Sequence, residues 1–254
     1  MLLHEFDPSP IAVINPPDIY KPVEGCPGVA VSCFERGTFG RMVQRLGAEE
    51  IALTRCANME IPVYRAEYRG TPIALYEAYV GAAGCVGMLE DLFAAGVEKL
   101  VLFGTCGVLD RSIRDCGIII PTSALRDEGT SFHYAPPSDE IAVNLKYREE
   151  FIEILDRHKC GYTMGKVWTT DAMYRETAEK MVRRKSQGCI CVDMECSAVA
   201  ALAQFRGKAV FQFFHAADNL DGEAWDARSL GGGANITGKD KAALLALELA
   251  ARIG

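Results

Sequence analysis

Eight short, nearly uncharged apolar runs punctuate this 254-residue chain: IAVI at 11–14, GVAVSCF at 28–34, PIALYEAYV at 72–80, KLVLFGT at 99–105, CGIIIPTSAL at 116–125, GKVWTT at 165–170, CICVDM at 189–194 and KAVFQFFHAAD at 208–218. Their continuity and their richness in β-branched and aromatic residues fit strands buried on both faces. Helical periodicity fills much of the space between them, over 38–46, 84–95, 142–158, 175–187, 195–205 and 239–253. Strands that alternate with helices predict an α/β layered fold with a mainly parallel or mixed sheet. No linker, low-complexity tract or internal repeat divides the chain, so residues 1–254 read as a single domain.

Composition narrows the partners. A net charge of −7 and a pI of about 5.2 argue against a nucleic-acid partner, which calls for a basic face. No apolar run approaches the roughly 20 residues of a membrane span. The opening MLLHEFDPSP lacks the basic and apolar regions of a secretory leader. The ten cysteines (26, 33, 56, 85, 106, 116, 160, 189, 191 and 196) include no C-x-x-C pair, and several sit inside apolar runs. They read as reduced structural thiols rather than metal ligands, which makes the cytoplasm the expected address.

In sheets of this kind, sites gather where strands end and helices begin. Three such ends stand out. Gly104-Thr105-Cys106-Gly107 follows an apolar strand, and reads either as a plain tight turn or as a place where backbone approaches a ligand. At Asp193-Met194-Glu195, Glu195 opens an Ala-rich helix. It is either a carboxylate favoured by the helix dipole or an acceptor for ligand hydroxyls, with the Met194 thioether against a sugar face. At Ala217-Asp218-Asn219, Asp218 is either a cap or a carboxyl that partial burial would raise towards neutrality as a proton donor. His215, inside the same strand, reads as a satisfied structural histidine. The polar stretch Arg126–Ser131 reads as a solvated loop or part of a site. In VWTTDAMYRET, Asp171 is a candidate cap, while Met173 and Tyr174 are candidates for core or pocket wall.

The ordered set GTCG, PTSALRDEGTSFHY, TTDAMYRET, VDMECSA and AADN, spread between residues 11 and 225, resembles the nucleoside phosphorylase-I superfamily of uridine and purine nucleoside phosphorylases. The resemblance implies a three-layer αβα domain around a twisted mixed sheet, assembled as a homo-oligomer (dimer, trimer or hexamer). It implies an enzyme, a pentosyltransferase that splits the N-glycosidic bond of a purine or uridine nucleoside with phosphate to give free base and ribose 1-phosphate. Phosphate is then a co-substrate, and no cofactor or metal is required. Carried over residue by residue, Met194 and Glu195 bind ribose. Thr105, with Cys106 and Gly107, lies at the phosphate and ribose. Met173 takes the place of a base-stacking phenylalanine, and Asp218 stands beside the leaving base. His4 matches an N-terminal histidine donated to a neighbouring subunit.

Uridine-cleaving members carry a Gln-x-Arg pair shortly after a Phe-Tyr in the segment that matches TTDAMYRET. Its absence from Met173–Glu179, together with Asp218, tilts the substrate towards purines. The phosphate end departs most from the family. The Gly-Asp-x-x-Arg loop expected after the first strand falls on Asn15–Tyr20, with Tyr20 at the arginine position. The two other arginine positions hold Leu102 and Met59. Phosphate recognition favours guanidinium forks, so Arg36 is named as a replacement, with Arg41 and Arg65 as further possibilities. Hydrolysis by water and nucleoside binding without catalysis stand as alternatives to phosphorolysis.

Overall fold

The computed structural model describes residues 2–231 and 233–254. After a short helix, α1 (Pro16–Ile19), come β1 (Val29–Cys33), α2 (Arg36–Leu46), β2 (Glu49–Cys56), β3 (Met59–Tyr68), β4 (Thr71–Glu77) and α3 (Ala82–Ala95). The second half runs through β5 (Lys99–Val108), β6 (Ile118–Asp127), β7 (Glu140–Ala142), α4 (Arg148–Arg157), β8 (Tyr162–Thr170), α5 (Ala178–Ser186), β9 (Cys189–Asp193), α6 (Cys196–Arg206), β10 (Ala209–Asn219) and α7 (Ile236–Ile253).

All ten strands join one mixed sheet, and helices cover both of its faces. Strand order is β10-β6-β8-β9-β5-β1-β4-β3-β2, with β7 on β6. Because β10 also pairs with β5, the strands β5, β10, β6, β8 and β9 close into a ring, while β1, β4, β3 and β2 extend from it as an open flank. Alternation along each central strand feeds two cores. In β1, Val29, Val31 and Cys33 face α4 and α7, joining Phe103, Phe211 and Phe213. Ala30 faces the other way, towards α3 and α6, with Leu100, Leu102 and Val210. Phe103 and Phe213 stack at 5.5 Å between centroids, a pairing that adds to the burial of both rings.

Seven of the eight apolar runs are strands. The exception is 11–14, which has no strand partner and leaves Val13 fully solvent-exposed, at 101%. The periodic stretch 142–158 also shortens: its first residue belongs to β7, and the helix begins only at Arg148. β2 and β3 carry no apolar run, because Glu49, Glu50, Arg55, Glu60, Arg65 and Glu67 interrupt them. Their outer faces meet solvent. Arg126–Ser131 is not a solvated loop: Arg126, Glu128 and Ser131 are buried. Among the described residues, no helix is long and apolar enough to cross a membrane.

Candidate active site

The three strand ends meet. Thr105, Cys106 and Gly107 from β5, Asp193, Met194 and Glu195 from the exit of β9, and Asp218 from β10 line one cavity of about 240 Å³. That is near the lower end of small-ligand pockets, about 300 Å³. Met173 and Glu176, between β8 and α5, complete one side, and Phe34 and Val80, just past β1 and β4, complete another. Wider clefts of about 320 Å³ and 500 Å³ exist elsewhere, but neither collects these strand ends. In the first, Arg206 is already held by both carboxylate oxygens of Glu90, at 2.9 Å each.

Local geometry explains the convergence. β10 pairs residue for residue with β5 until Ala216 opposite Cys106; there the register slips, and Asp218 rather than Ala217 stands opposite Gly107. An extra residue of this kind re-aims the side chain that follows it. Gly107 is required by close approach: a Cβ there would lie 2.4 Å from Leu220 Cδ1 and 3.2 Å from Asp218 Oδ1. The GTCG segment is therefore not a tight turn. It is the continuing strand β5, and its glycines make room for neighbouring side chains; at Gly104 a Cβ would meet the Phe34 ring at 2.6 Å.

Glu195 does not cap α6. Asp193 does: its Oδ2 accepts the Glu195 and Cys196 N–H groups at 3.0 and 2.7 Å, and its Oδ1 accepts the Thr169 hydroxyl at 2.7 Å. Thr169 Oγ1 in turn accepts the Ser197 N–H at 3.1 Å. Glu128 accepts the Ser197 hydroxyl at 2.9 Å and the Ser131 N–H, also at 2.9 Å. Relieved of capping, Glu195 turns to the cavity and accepts the Gly81 N–H from the start of α3. It is 6% exposed. Burial first, and the charge of Asp193 second, push its carboxyl up to about 8. Burial also raises Asp193.

Asp218 Oδ2 accepts the Trp225 indole N–H at 2.8 Å. Among the described residues it neither caps a helix nor pairs with a cation. The group displaced towards neutrality beside it is Glu176, raised to about 7 by burial and then by the Asp218 charge. Glu176 escaped sequence reasoning because it lies in a polar, irregular segment; the one available signal was its position three residues past Met173.

Several residues named from the sequence stay outside: Tyr174, Arg41 and Arg65 do not line the cavity, and neither do His4 and Arg36. His4 ends a short 3₁₀ turn, exposed and not in the cavity of its own chain. Arg36 projects into solvent, 91% exposed, and pairs with Glu77 at 3.2 Å. The loop placed at Asn15–Tyr20 is also displaced. The first strand is 29–33, so the stretch that follows it is Phe34-Glu35-Arg36, whereas 16–19 forms α1. Leu102 is core, and Met59 opens β3. No arginine, lysine or histidine is among the described residues lining the cavity. His215 is buried, but neither ring nitrogen finds a partner among the described residues. Burial holds it down at about 4, hence neutral. Asp171 accepts the Gly129 N–H rather than capping α5, a role taken by Thr177. All ten cysteines are free, and among the described residues no group of three His, Cys, Asp or Glu side chains could hold a metal ion.

Comparison with known proteins places this architecture. The chain is 25% identical over 150 residues to guanosine phosphorylase of Halorubrum lacusprofundi, covering 59% of this chain and 62% of that one. It is 28% identical over 127 residues to uridine phosphorylase of Thermococcus kodakarensis, covering 50% and 44%. The matched stretches therefore span less than two thirds of those relatives. Among solved structures, uridine phosphorylase from Vibrio fischeri superposes with a TM-score of 0.78 at 22% identity, covering 95% of this chain and 99% of that one. Purine nucleoside phosphorylase from Toxoplasma gondii in complex with immucillin-H superposes at 0.77 and 20% identity, covering 91% and 92%. The model of the phosphorylase superfamily matches residues 37–250, and with most of the chain so matched, this protein belongs to that superfamily.

Proposed function

We propose that the chain is a pentosyltransferase that cleaves the N-glycosidic bond of a nucleoside, with phosphate as the acceptor of the ribosyl group. The observation that carries this reading is the meeting of Glu195 and Asp218, from separate strand ends, in one cavity of about 240 Å³. Bond cleavage builds positive charge on the ribosyl ring. Glu195, hydrogen-bonded to the 2′- or 3′-hydroxyl, positions the sugar and, in its ionised form, stabilises that charge. Met194 packs against the sugar, and Met173 lies against the base. Asp218, which takes up a proton from solvent in the bound complex, passes it to the departing base as general acid, worth roughly 10²–10⁴-fold. Thr105 and the neighbouring backbone face the incoming nucleophile. In this reading the working unit is a homo-oligomer, with His4 reaching a neighbour's ribose pocket.

A specific observation favours a second reading, hydrolysis. The four ionisable groups lining the cavity, apart from the Cys106 thiol, are all carboxyls, and a phosphate dianion beside them calls for a cation that the described lining lacks. One assay separates the two: release of free base from guanosine, inosine, adenosine and uridine, with and without phosphate. Phosphate-dependent release with ribose 1-phosphate as product supports phosphorolysis. Equal release without phosphate supports the nucleosidase. Absence of release from every nucleoside overturns both.

A further inference from the structure

Asp193 and Glu195 are a pair of buried carboxyl groups, each 6% exposed, on either side of Met194. The two are tied together, because Asp193 Oδ2 accepts the N–H of Glu195 itself at 3.0 Å. No arginine, lysine or histidine is among the described residues lining the cavity they border. Two buried carboxyl groups without a cation resist ionising together, and hydrogen bonds decide which keeps the charge. Asp193 has three donors: the Glu195 and Cys196 N–H groups at the head of α6, and the Thr169 hydroxyl. Glu195 has the Gly81 N–H, helped by the Met194 N–H. Asp193 is therefore the ionised member and Glu195 the protonated one, and Glu195 is accordingly the one displaced further upwards. The neighbours supply no missing cation. Asp171, past β8, and Glu128, behind Asp193, add negative charge. Asp218 and Glu176, elsewhere on the lining, are carboxyls too. The thiols of Cys85 on α3 and Cys196 on α6 are buried and neutral.

We propose that Asp193 is a positioning residue whose charge keeps Glu195 protonated in the empty cavity, and that a nucleoside binds with release of that proton. This rests on the nucleoside reading, in which ribose hydroxyls meet Glu195. The 2′- and 3′-hydroxyls bring two donors to a carboxyl that had few, and donors favour its charged form. The proton passes to solvent. Glu195 thus gains its negative charge where bond cleavage builds positive charge, and only once a sugar is in place. Affinity then rises with pH, by up to about tenfold per unit, until Glu195 is already ionised in the empty protein.

The test is calorimetry of guanosine binding to the Asp218→Asn variant, in buffers of different ionisation enthalpy. Asparagine at 218 takes up no proton and slows turnover, so the proton count belongs to Glu195. About one proton per guanosine is expected to be released at pH 7 and almost none above about pH 9. Adding Asp193→Asn keeps the α6 cap, since asparagine accepts the same N–H groups, and removes only the charge. Release at pH 7 is expected to fall by about half or more, with tighter binding at pH 6. Binding without proton release, or unchanged release after Asp193→Asn in a protein that melts normally, overturns the inference and leaves the nucleoside reading standing. Failure of guanosine, adenosine and uridine to bind at all overturns that reading instead. The free protein is checked separately by carbon-13 NMR, following the glutamate carboxyl signal that Glu195→Gln removes. Asp193→Asn is expected to lower its titration midpoint by about one pH unit or more, and an unmoved midpoint overturns the inference whatever binds.

Discussion

Where β9 and β10 stop, carboxyl groups converge on the cavity and are held in place. Asp193 spends itself on capping so that Glu195 is free, and a bulge turns Asp218 inward. Where β1 and β4 stop, the charges nearby are already consumed. Arg36 pairs with Glu77 in solvent. Lys239, 1% exposed, is bound by Glu35 at 3.0 Å and by the Gly231 carbonyl at 3.1 Å. Arg41 serves Asp240 and Thr38. In the proposed reading, the groups for sugar and base are preorganised within one chain, whereas those for an anion are not. A cation already held by a buried carboxylate must give up that partner before it binds an anion.

The sharpest way to break this contrast is Asp218→Asn. It is expected to lower the turnover number on purine nucleosides by about 10²–10⁴ with the melting temperature nearly unchanged; steady-state kinetics beside thermal melting check it. Glu195→Gln comes next, with an expected loss of about 10²–10³ in kcat/KM. The same substitution should stabilise the fold at high pH. Glu195 holds its proton in the folded state up to about 8, whereas the unfolded carboxyl releases it near 4.3. Stability therefore falls as pH rises from about 4.3 to about 8. The variant escapes that loss, melting above its parent at pH 8 but not at pH 4, by about 2–4 °C per kcal/mol.

Lys239→Met probes the other end. Leaving Glu35 without its buried partner is expected to cost about 3 kcal/mol of stability, with the KM for phosphate unchanged. A raised phosphate KM in a stable variant would instead make Lys239 part of an anion site. The smallest expected effect is Trp225→Phe. It removes the hydrogen bond that an indole, itself 62% exposed, donates to Asp218, for a change in kcat of about three- to tenfold.

The sequence made the carboxyl end legible and left the anion end obscure, for physical reasons. Thr105, Met194, Glu195 and Asp218 each lie in or just past the C-terminal part of a buried strand, and buried strands announce themselves by unbroken apolar runs. Strand ends in an α/β sheet share one edge, so their convergence follows from order along the chain. By contrast, 11–14 is as apolar as a true strand but has no partner to pair with. Mistaking it for the first strand moved the expected phosphate loop to Asn15–Tyr20, when the segment leaving β1 is Phe34-Glu35-Arg36. Nor does a charge in sequence reveal who holds it: the Glu35–Lys239 pair is 204 residues apart. Glu176 and the bulge at Ala217 were hidden for a related reason, since irregular backbone leaves no period to read.

The central claim is that one nucleoside spans Glu195 and Asp218. It is tested most directly by a crystal structure of the Asp218→Asn variant soaked with guanosine. The account expects ribose hydroxyls about 2.6–3.2 Å from the Glu195 carboxylate, with the base against position 218 in the same cavity. A nucleoside bound elsewhere on the chain, or in this cavity with its sugar away from Glu195, would contradict it.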